Sequence, residues 1–292
     1  GLWNSWQDGA FVFDQEAGQF FDPDKLQVLE HEGEFYRVRG PLHVPASPQG
    51  EPVLIQAGAS EAGRAMAAES AEVVFGASQT LERAQEFYAD VKGRMAAFGR
   101  APDSLKIMPG LSVSVAATHA EAEAKWNELQ DLIDPKTGLE LLQERLHFDI
   151  SGFDVNGTLP DMPQEVRDDS RVQLIYEMAA RESMTIRDLY RHFGGTRGHR
   201  HITGSTTEVA DFMEEWVAEK GCDGFNIMPP LFPAGLEDFV DLVIPELQRR
   251  GLFRNEYEGS TLRENLGLPR PPWSAGDMER TAAAEKVPAT AK

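Results

Sequence analysis

Gln56-Ala57-Gly58-Ala59-Ser60-Glu61-Ala62-Gly63 is the segment whose residue types and spacing could most directly hold a ligand. A short apolar run, Pro52-Val53-Leu54-Ile55, passes through four small residues into what reads as a helix from Glu61 to Ser70. A strand that turns straight into a helix leaves backbone N–H groups free, and small side chains let an anion come close. The helix dipole then favours negative charge by about 0.3–2 kcal/mol. A phosphate therefore fits Gly58, Ala59 and Ser60, with Ala57 leading into the turn. The same residues also make an ordinary tight turn in which Ser60 is only an N-cap, and spacing alone does not separate the two.

His199, in Arg197-Gly198-His199-Arg200-His201, is the candidate for proton chemistry. An imidazole with an ordinary pKa of about 6.5 can give or take a proton at neutral pH. A loop histidine that merely ties one segment to another fits the pattern as well. Along Cys222-Asp223-Gly224-Phe225-Asn226-Ile227-Met228 the side chains should alternate between two faces. Asn226 is unusual in so apolar a strand, and Asn226 and Met228 become candidate pocket residues if the strand ends at a barrel mouth. Core packing explains Phe225 and Met228 equally simply. His31, His43, His119, His147 and His192 show no metal-ligand spacing, so no metal site is expected. Ser60 and Ser205 lack a nucleophile-elbow context, which leaves hydrolase chemistry unsupported.

These residues must be positioned by the elements around them. Residues 7–50 are rich in Gly, Pro, Asp and aromatics and read as a long excursion with a short hairpin at Glu34-Phe35-Tyr36-Arg37-Val38. Four strand–helix units follow. Their strands are expected at 52–58, 71–76, within 105–117, and at 222–228. Leu81, Ala84, Tyr88, Val91 and Met95 give the second helix its apolar face. Thr118-His119-Ala120-Glu121 and Ser205-Thr206-Thr207-Glu208 are capping boxes that open two more helices, and Leu236–Gln248 closes the series. Residues 135–200 interrupt the alternation with two or three shorter helices, an insertion of the kind that covers a mouth or carries function. Residues 272–292 are Ala-, Pro- and Lys-rich and read as a disordered tail. Strand–helix alternation predicts a parallel sheet covered by helices, wound right-handed as a barrel segment or an open sheet.

Composition narrows the partners. The 292 residues carry 28 Lys+Arg against 48 Asp+Glu, a formal charge of -20, and that field repels phosphodiester backbones and anionic bilayers. A helix-turn-helix reading of Thr185–Tyr190 is therefore set aside, and neither nucleic acid nor membrane is expected as a partner. One cysteine, Cys222, excludes an internal disulfide and suits a cytoplasmic setting. No apolar run approaches the roughly 20 residues of a membrane span, and no secretory signal is visible.

Taken together, PVLIQAGASEAGRAMAAESAEVVF, GGTRGHRHITGS and GCDGFNIMPP, with FFDPDKL and EGEFYRVRGPLHVPASPQG before them, resemble the bacterial-luciferase-like flavin-dependent monooxygenases. The resemblance is to the branch holding nitrilotriacetate, dibenzothiophene-sulfone and long-chain alkane monooxygenases, and it runs from Gly1 to about Pro271. It implies an α/β fold of the TIM (β/α)8 barrel type, of which this chain supplies roughly the last four units plus the insertion, as one domain over 1–271. The first four strands are then expected to lie outside this sequence. It further implies reduced FMN (FMNH2) as cofactor, its phosphate on Gly58, Ala59 and Ser60, and a histidine of the GHRH motif, here His199, at the mouth. Many members have Ser where this chain has Ala59, so one hydroxyl donor is missing while the backbone donor remains. The implied reaction inserts one atom of O2 into a small organic substrate, with FMNH2 delivered by a separate flavin reductase and the complete protein a homo-oligomer. The alternatives on the same scaffold are a flavin- or deazaflavin-dependent reductase and a non-catalytic partial barrel.

Overall fold

The computed structural model describes residues 1–196 and 198–273, apart from the side chains of Ser170, Arg171 and Leu174. The tail expected over 272–292 lies, from residue 274 onward, outside the described residues. By contact density the chain divides into two compact units, one made of Gly1–Leu54 with the segment from Glu256 onward, the other of Ile55–Asn255.

The first unit is built from short elements. Strands β1 (Phe11–Asp14) and β2 (Gln19–Phe21) form a bulged antiparallel hairpin, and β3 (His31–Glu32) pairs with β4 (Arg37–Val38). The second hairpin is the one expected near 34–38. Trp6 packs against Phe11 and Phe21 at ring distances of 4.6 and 5.2 Å. With so little regular structure, polar groups must knit the unit. Arg263, on a short helix Leu262–Asn265, is 1% exposed and donates to the carbonyls of Glu51, Pro52 and Pro269. Burying a guanidinium is tolerable only when its N–H groups are satisfied in this way.

The second unit carries the α/β pattern. Strand β5 (Ile55–Gln56) leads to helix α1 (Glu61–Ser70), β6 (Val73–Gly76) to α2 (Leu81–Arg94), and β7 (Lys106–Ala116) to α3 (His119–Asp131). Four helices fill the insertion: α4 (Pro135–Leu146), α5 (Gln164–Arg167), α6 (Ser170–Glu182) and α7 (Ile186–Thr196). Strand β8 (Arg200–Ser205) and helix α8 (Thr206–Ala218) come next, then β9 (Asn226–Ile227). The last helical stretch runs through α9 (Ala234–Asp238), a π turn over Phe239–Val243 and α10 (Ile244–Arg249).

The sheet is parallel in the order β5-β6-β7-β8, with β9 also on β7. Leu111 pairs with both Arg200 and Ile227, so β8 and β9 flank β7 on opposite sides. Alternation sorts the faces. Leu111, Val113 and Val115 join Val209, Phe239 and Val243 in one core against the helices, while Ala67, Val74, Val91, Met95 and Ile107 form another under α1 and α2. Gly110, Ser112 and Ser114 therefore turn to the opposite face. The insertion has a core of its own, with Leu142, Leu146, Ile150, Ile186, Leu189 and Tyr190 all buried.

Three expectations are corrected. The strand expected over 52–58 pairs only at Ile55 and Gln56, and Ile55 is 64% exposed rather than buried. The strand expected over 222–228 pairs only at Asn226 and Ile227. Arg200–Ser205 is a strand that periodicity did not announce, because its only support is six residues of pairing with β7. The sheet of this unit thus has one strand more than the four strand–helix units provide.

Candidate functional site

The turn after β5 is shaped by two glycines. A Cβ on Gly63 would lie 3.0 Å from the carbonyl carbon of Gly58, and one on Gly58 would lie 2.6 Å from Gln56 Nε2. The first turn of α1 therefore rests directly on the strand-to-helix turn, which no larger residue permits. Ser60 is the N-cap, its Oγ accepting from the Gly63 amide at 3.2 Å. Among the described residues no acceptor is found for the amides of Ala59, Ser60, Glu61 and Ala62, and Gln56 Oε1 is buried without a partner. Of the predicted residues, Ala59 and Ser60 thus present free amides at this turn, and Ala57 and Gly58 lead into it. A phosphate meets the requirements of this donor set: free amides, no side chain in the way, and a helix N-terminus.

Two arginines that sequence reading did not single out hold this turn. Arg64 donates through Nε to the Ala59 carbonyl at 2.9 Å and through Nη1 to Asp90 at 2.9 Å, its guanidinium 5.2 Å from the centre of the Phe87 ring. Arg94 binds Glu61 through both Nη atoms and Asp90 through Nε. Hydrogen bonds from Arg94 hold the carboxyls of Glu61 and Asp90 below the usual carboxylate range. The acidic side chain nearest the turn is thereby tied to a cation instead of facing the free amides. An arginine three residues after the first helical position, able to reach back to the turn, was the available sequence signal.

His199 lies at the C-terminal end of β6. Its ring is 5.0 Å from that of Phe75, and a Cβ on Gly110 would meet His199 Nδ1 at 2.5 Å and Met228 Sδ at 2.7 Å. Gly110 is thus the gap in β7 over which His199 and Met228 converge. Gln79 Nε2 donates to the Gly198 carbonyl at 2.6 Å, and the His199 amide to the Thr196 carbonyl at 3.1 Å, so the backbone on the N-terminal side of the imidazole is fixed. Burial, helped by the Arg145 guanidinium and opposed by the Gly76 carbonyl, lowers the His199 pKa. The ring is neutral at pH 7, and Nδ1 is buried without a partner. Asn226 pairs with Gly110 and faces the same side as Met228, exposed, while Phe225 and Ile227 pack on the helices.

His201 is a separate case. It stacks on Trp126 at 3.7 Å and is held by Ser112 Oγ at 3.0 Å and Thr203 Oγ1 at 2.8 Å. Burial, reinforced by His192 and Arg200, pushes its pKa down to about 3. This histidine is locked and structural. A cavity of about 420 Å³ between β7, α3 and α9 is lined by Val113, Ser114, Leu129 and Leu132, with Lys125 and Asp238 paired across it at 2.7 Å. None of the residues singled out from the sequence lines it. Among the described residues no group of His, Cys, Asp or Glu is arranged to hold a metal ion, and no helix is long and apolar enough to cross a membrane.

The site thus combines a parallel α/β sheet, a glycine-shaped turn with free amides at the end of one strand and a half-buried imidazole at the end of the next, and the family comparison gives it a class. Residues 24–218 match the luciferase-like monooxygenase family, and the chain belongs to it. This is the family its motifs resemble. Among its relatives, N-acetyl-S-(2-succino)cysteine monooxygenase of Bacillus subtilis (strain 168) is 52% identical over 93% of this chain and 62% of its own length. Nitrilotriacetate monooxygenase component A of Aminobacter aminovorans is 50% identical over 92% of this chain and 60% of its own. The structure of riboflavin lyase with modified FMN and riboflavin superposes with a TM-score of 0.74 at 31% identity, covering 92% of this chain and 59% of that one. The chain thus spans about three-fifths of the length of these relatives.

Proposed function

We propose that this chain is part of an FMNH2-dependent monooxygenase that inserts one atom of O2 into a small organic substrate and works with a separate flavin reductase. The observation that carries the reading is the turn at Ala57–Ser60, where two glycines in backbone contact leave a row of unpaired amides at a helix N-terminus. Gly58, Ala59 and Ser60 would hold the FMN phosphate through backbone N–H groups, and Arg64 and Arg94 keep the local acids engaged elsewhere. When bound, reduced FMN supplies the electrons that activate O2. The protein's own part is orientation, exclusion of water and proton handling. Phe75 and Met228 present an apolar surface around His199, and Asn226 offers the one amide on that face of β9. A neutral imidazole held there can give a proton from one ring nitrogen and accept one at the other. Support for a two-protein system comes from the name of the Aminobacter relative, "component A". The remaining barrel strands, the closure to eight and the assembly of the complete enzyme into a homo-oligomer belong to the same proposal.

The Ser60→Asp substitution separates phosphate binding from simple capping. Aspartate caps a helix as well as serine does, so α1 should keep its stability, whereas a carboxylate at that place repels a phosphate. Titration of the full chain with FMN and FMNH2 should show association in the natural protein and a loss of at least about tenfold in the variant. Equal affinity in both, or no flavin association at all, overturns the proposal.

A further inference from the structure

Arg145, like Arg200 over Phe212, stands over an aromatic ring with no ion pair to an acidic side chain among the described residues; Arg200 has its Nε buried, whereas Arg145 is exposed. Arg64, Arg83, Arg94, Arg191 and Arg250 each make an ion pair with an acidic side chain. Arg145 has neither an acid partner nor a hydrogen bond among the described residues, in a protein whose acids outnumber its bases by twenty. Its guanidinium lies 5.4 Å from the centre of the Phe193 ring. Phe193 in turn abuts Gly198, where a Cβ would come within 3.0 Å of the ring, and Gly198 adopts a φ of +84° just before His199. Phe193 thus bridges the space between Arg145 and the turn that carries the imidazole. An unpaired cation stacked on an aromatic ring is held in place without being neutralised, which leaves its N–H fork available.

Resting on the monooxygenase reading above, we infer that Arg145 is a specificity-determining residue that binds a carboxylate of the substrate beside His199, so that the substrate is a small carboxylic acid rather than a neutral sulfide or hydrocarbon. The planar fork of arginine matches a carboxylate in two parallel hydrogen bonds, and that geometry is not reproduced by lysine. Arg145 also lies in the last turn of α4, where any cation favours the helix dipole. That role would be met equally by lysine and would not need the ring of Phe193. The two roles therefore make different demands on the same side chain.

Calorimetric titration of the full chain, with and without FMN, using nitrilotriacetate and a 2-succino thioether as carboxylate probes and dimethyl sulfide as the neutral probe, tests this. The natural protein should bind at least one carboxylate probe more tightly than dimethyl sulfide. Arg145→Gln should weaken that binding by roughly 10- to 100-fold, the range expected for losing charge-assisted hydrogen bonds. Arg145→Lys should keep the thermal midpoint of the natural protein yet recover only part of the affinity, an outcome that a helix-dipole role does not give. Equal affinity in the natural protein and Arg145→Gln, or no binding of either carboxylate probe, overturns the inference. Flavin titration in parallel keeps the two readings apart. If FMN fails to associate while carboxylate binding depends on Arg145, the flavin reading fails and this one stands. If FMN associates and Arg145→Gln binds carboxylate unchanged, the reverse holds.

Discussion

Gly110 sits beneath two side chains that have no other way to meet, the imidazole of His199 and the thioether of Met228. A methyl group there would stand 2.5 Å from Nδ1 and 2.7 Å from Sδ, closer than nonbonded atoms allow, so both must move. Gly110→Ala should cost about 1–3 kcal/mol of stability, as overpacking usually does, and should shift the His199 ring signals in a histidine-labelled NMR spectrum. Unchanged denaturation and unchanged ring signals would show that the two side chains do not converge over that strand. Of the residues around this point, His199, Asn226 and Met228 were legible from sequence because imidazole, amide and strand-end position each carry a chemical signal. Phe75, Gly110 and Arg145 were not. Glycine and phenylalanine are ordinary in any strand, and Arg145 approaches the turn before His199 through Phe193 from a helix 54 residues upstream, a separation that periodicity cannot see.

Helices with local start signals form where the sequence places them. Thr118 with Glu121 and Ser205 with Glu208 both make reciprocal capping boxes. Such caps involve four consecutive residues, so the information is complete within the segment. Strands behave differently. Asp223 shows how one is anchored: Oδ2 accepts from the Ile107 amide at 2.7 Å and pairs with Lys92 at 3.0 Å, while Oδ1 accepts from the Tyr88 hydroxyl at 2.9 Å. Lys92 is buried and also donates to the carbonyls of Pro102 and Leu105. Asp223→Ala leaves a buried ammonium without its counter-ion and should cost about 3–5 kcal/mol in chemical denaturation. A loss below about 1 kcal/mol would mean that this network does not hold β7 and β9 in register. In the insertion, α4 packs on α7 through Gly138, where a Cβ would approach Tyr190 Cδ2 to 2.5 Å. Alanine gains about 1 kcal/mol over glycine as a helix former, yet Gly138→Ala should be net destabilising because the buried ring has nowhere to go. A rise in the urea midpoint would contradict that packing.

At the scale of the whole molecule, acid lability follows from part-buried histidines that desolvation keeps neutral. His192 and His199 have pKa values lowered mainly by burial, and burial pushes that of His201 down to about 3. In the unfolded chain each titrates near 6.5, so between that pH and the folded value the unfolded state binds more protons. Their contribution is complete above about pH 6.5 and is lost as pH falls, by up to about 1.4 kcal/mol per pH unit for each fully effective site. Stability should therefore decline from pH 6.5 toward 4, and His201→Gln, whose amide can still reach Ser112 and Thr203, should flatten that decline. A denaturation midpoint independent of pH over this range would count against the burial of these rings. The class of fold, the capped helices and the phosphate-type turn were set by the amino-acid order itself, because each depends on residues near one another along the chain. Tertiary structure alone decided that Ile55 is exposed rather than buried, that Arg200–Ser205 becomes a strand, that His199 and Met228 converge over Gly110, and that Phe193 lies between Arg145 and Gly198. Those outcomes depend on which distant segments come to lie side by side, and hydrophobic periodicity specifies a buried face without naming its neighbour.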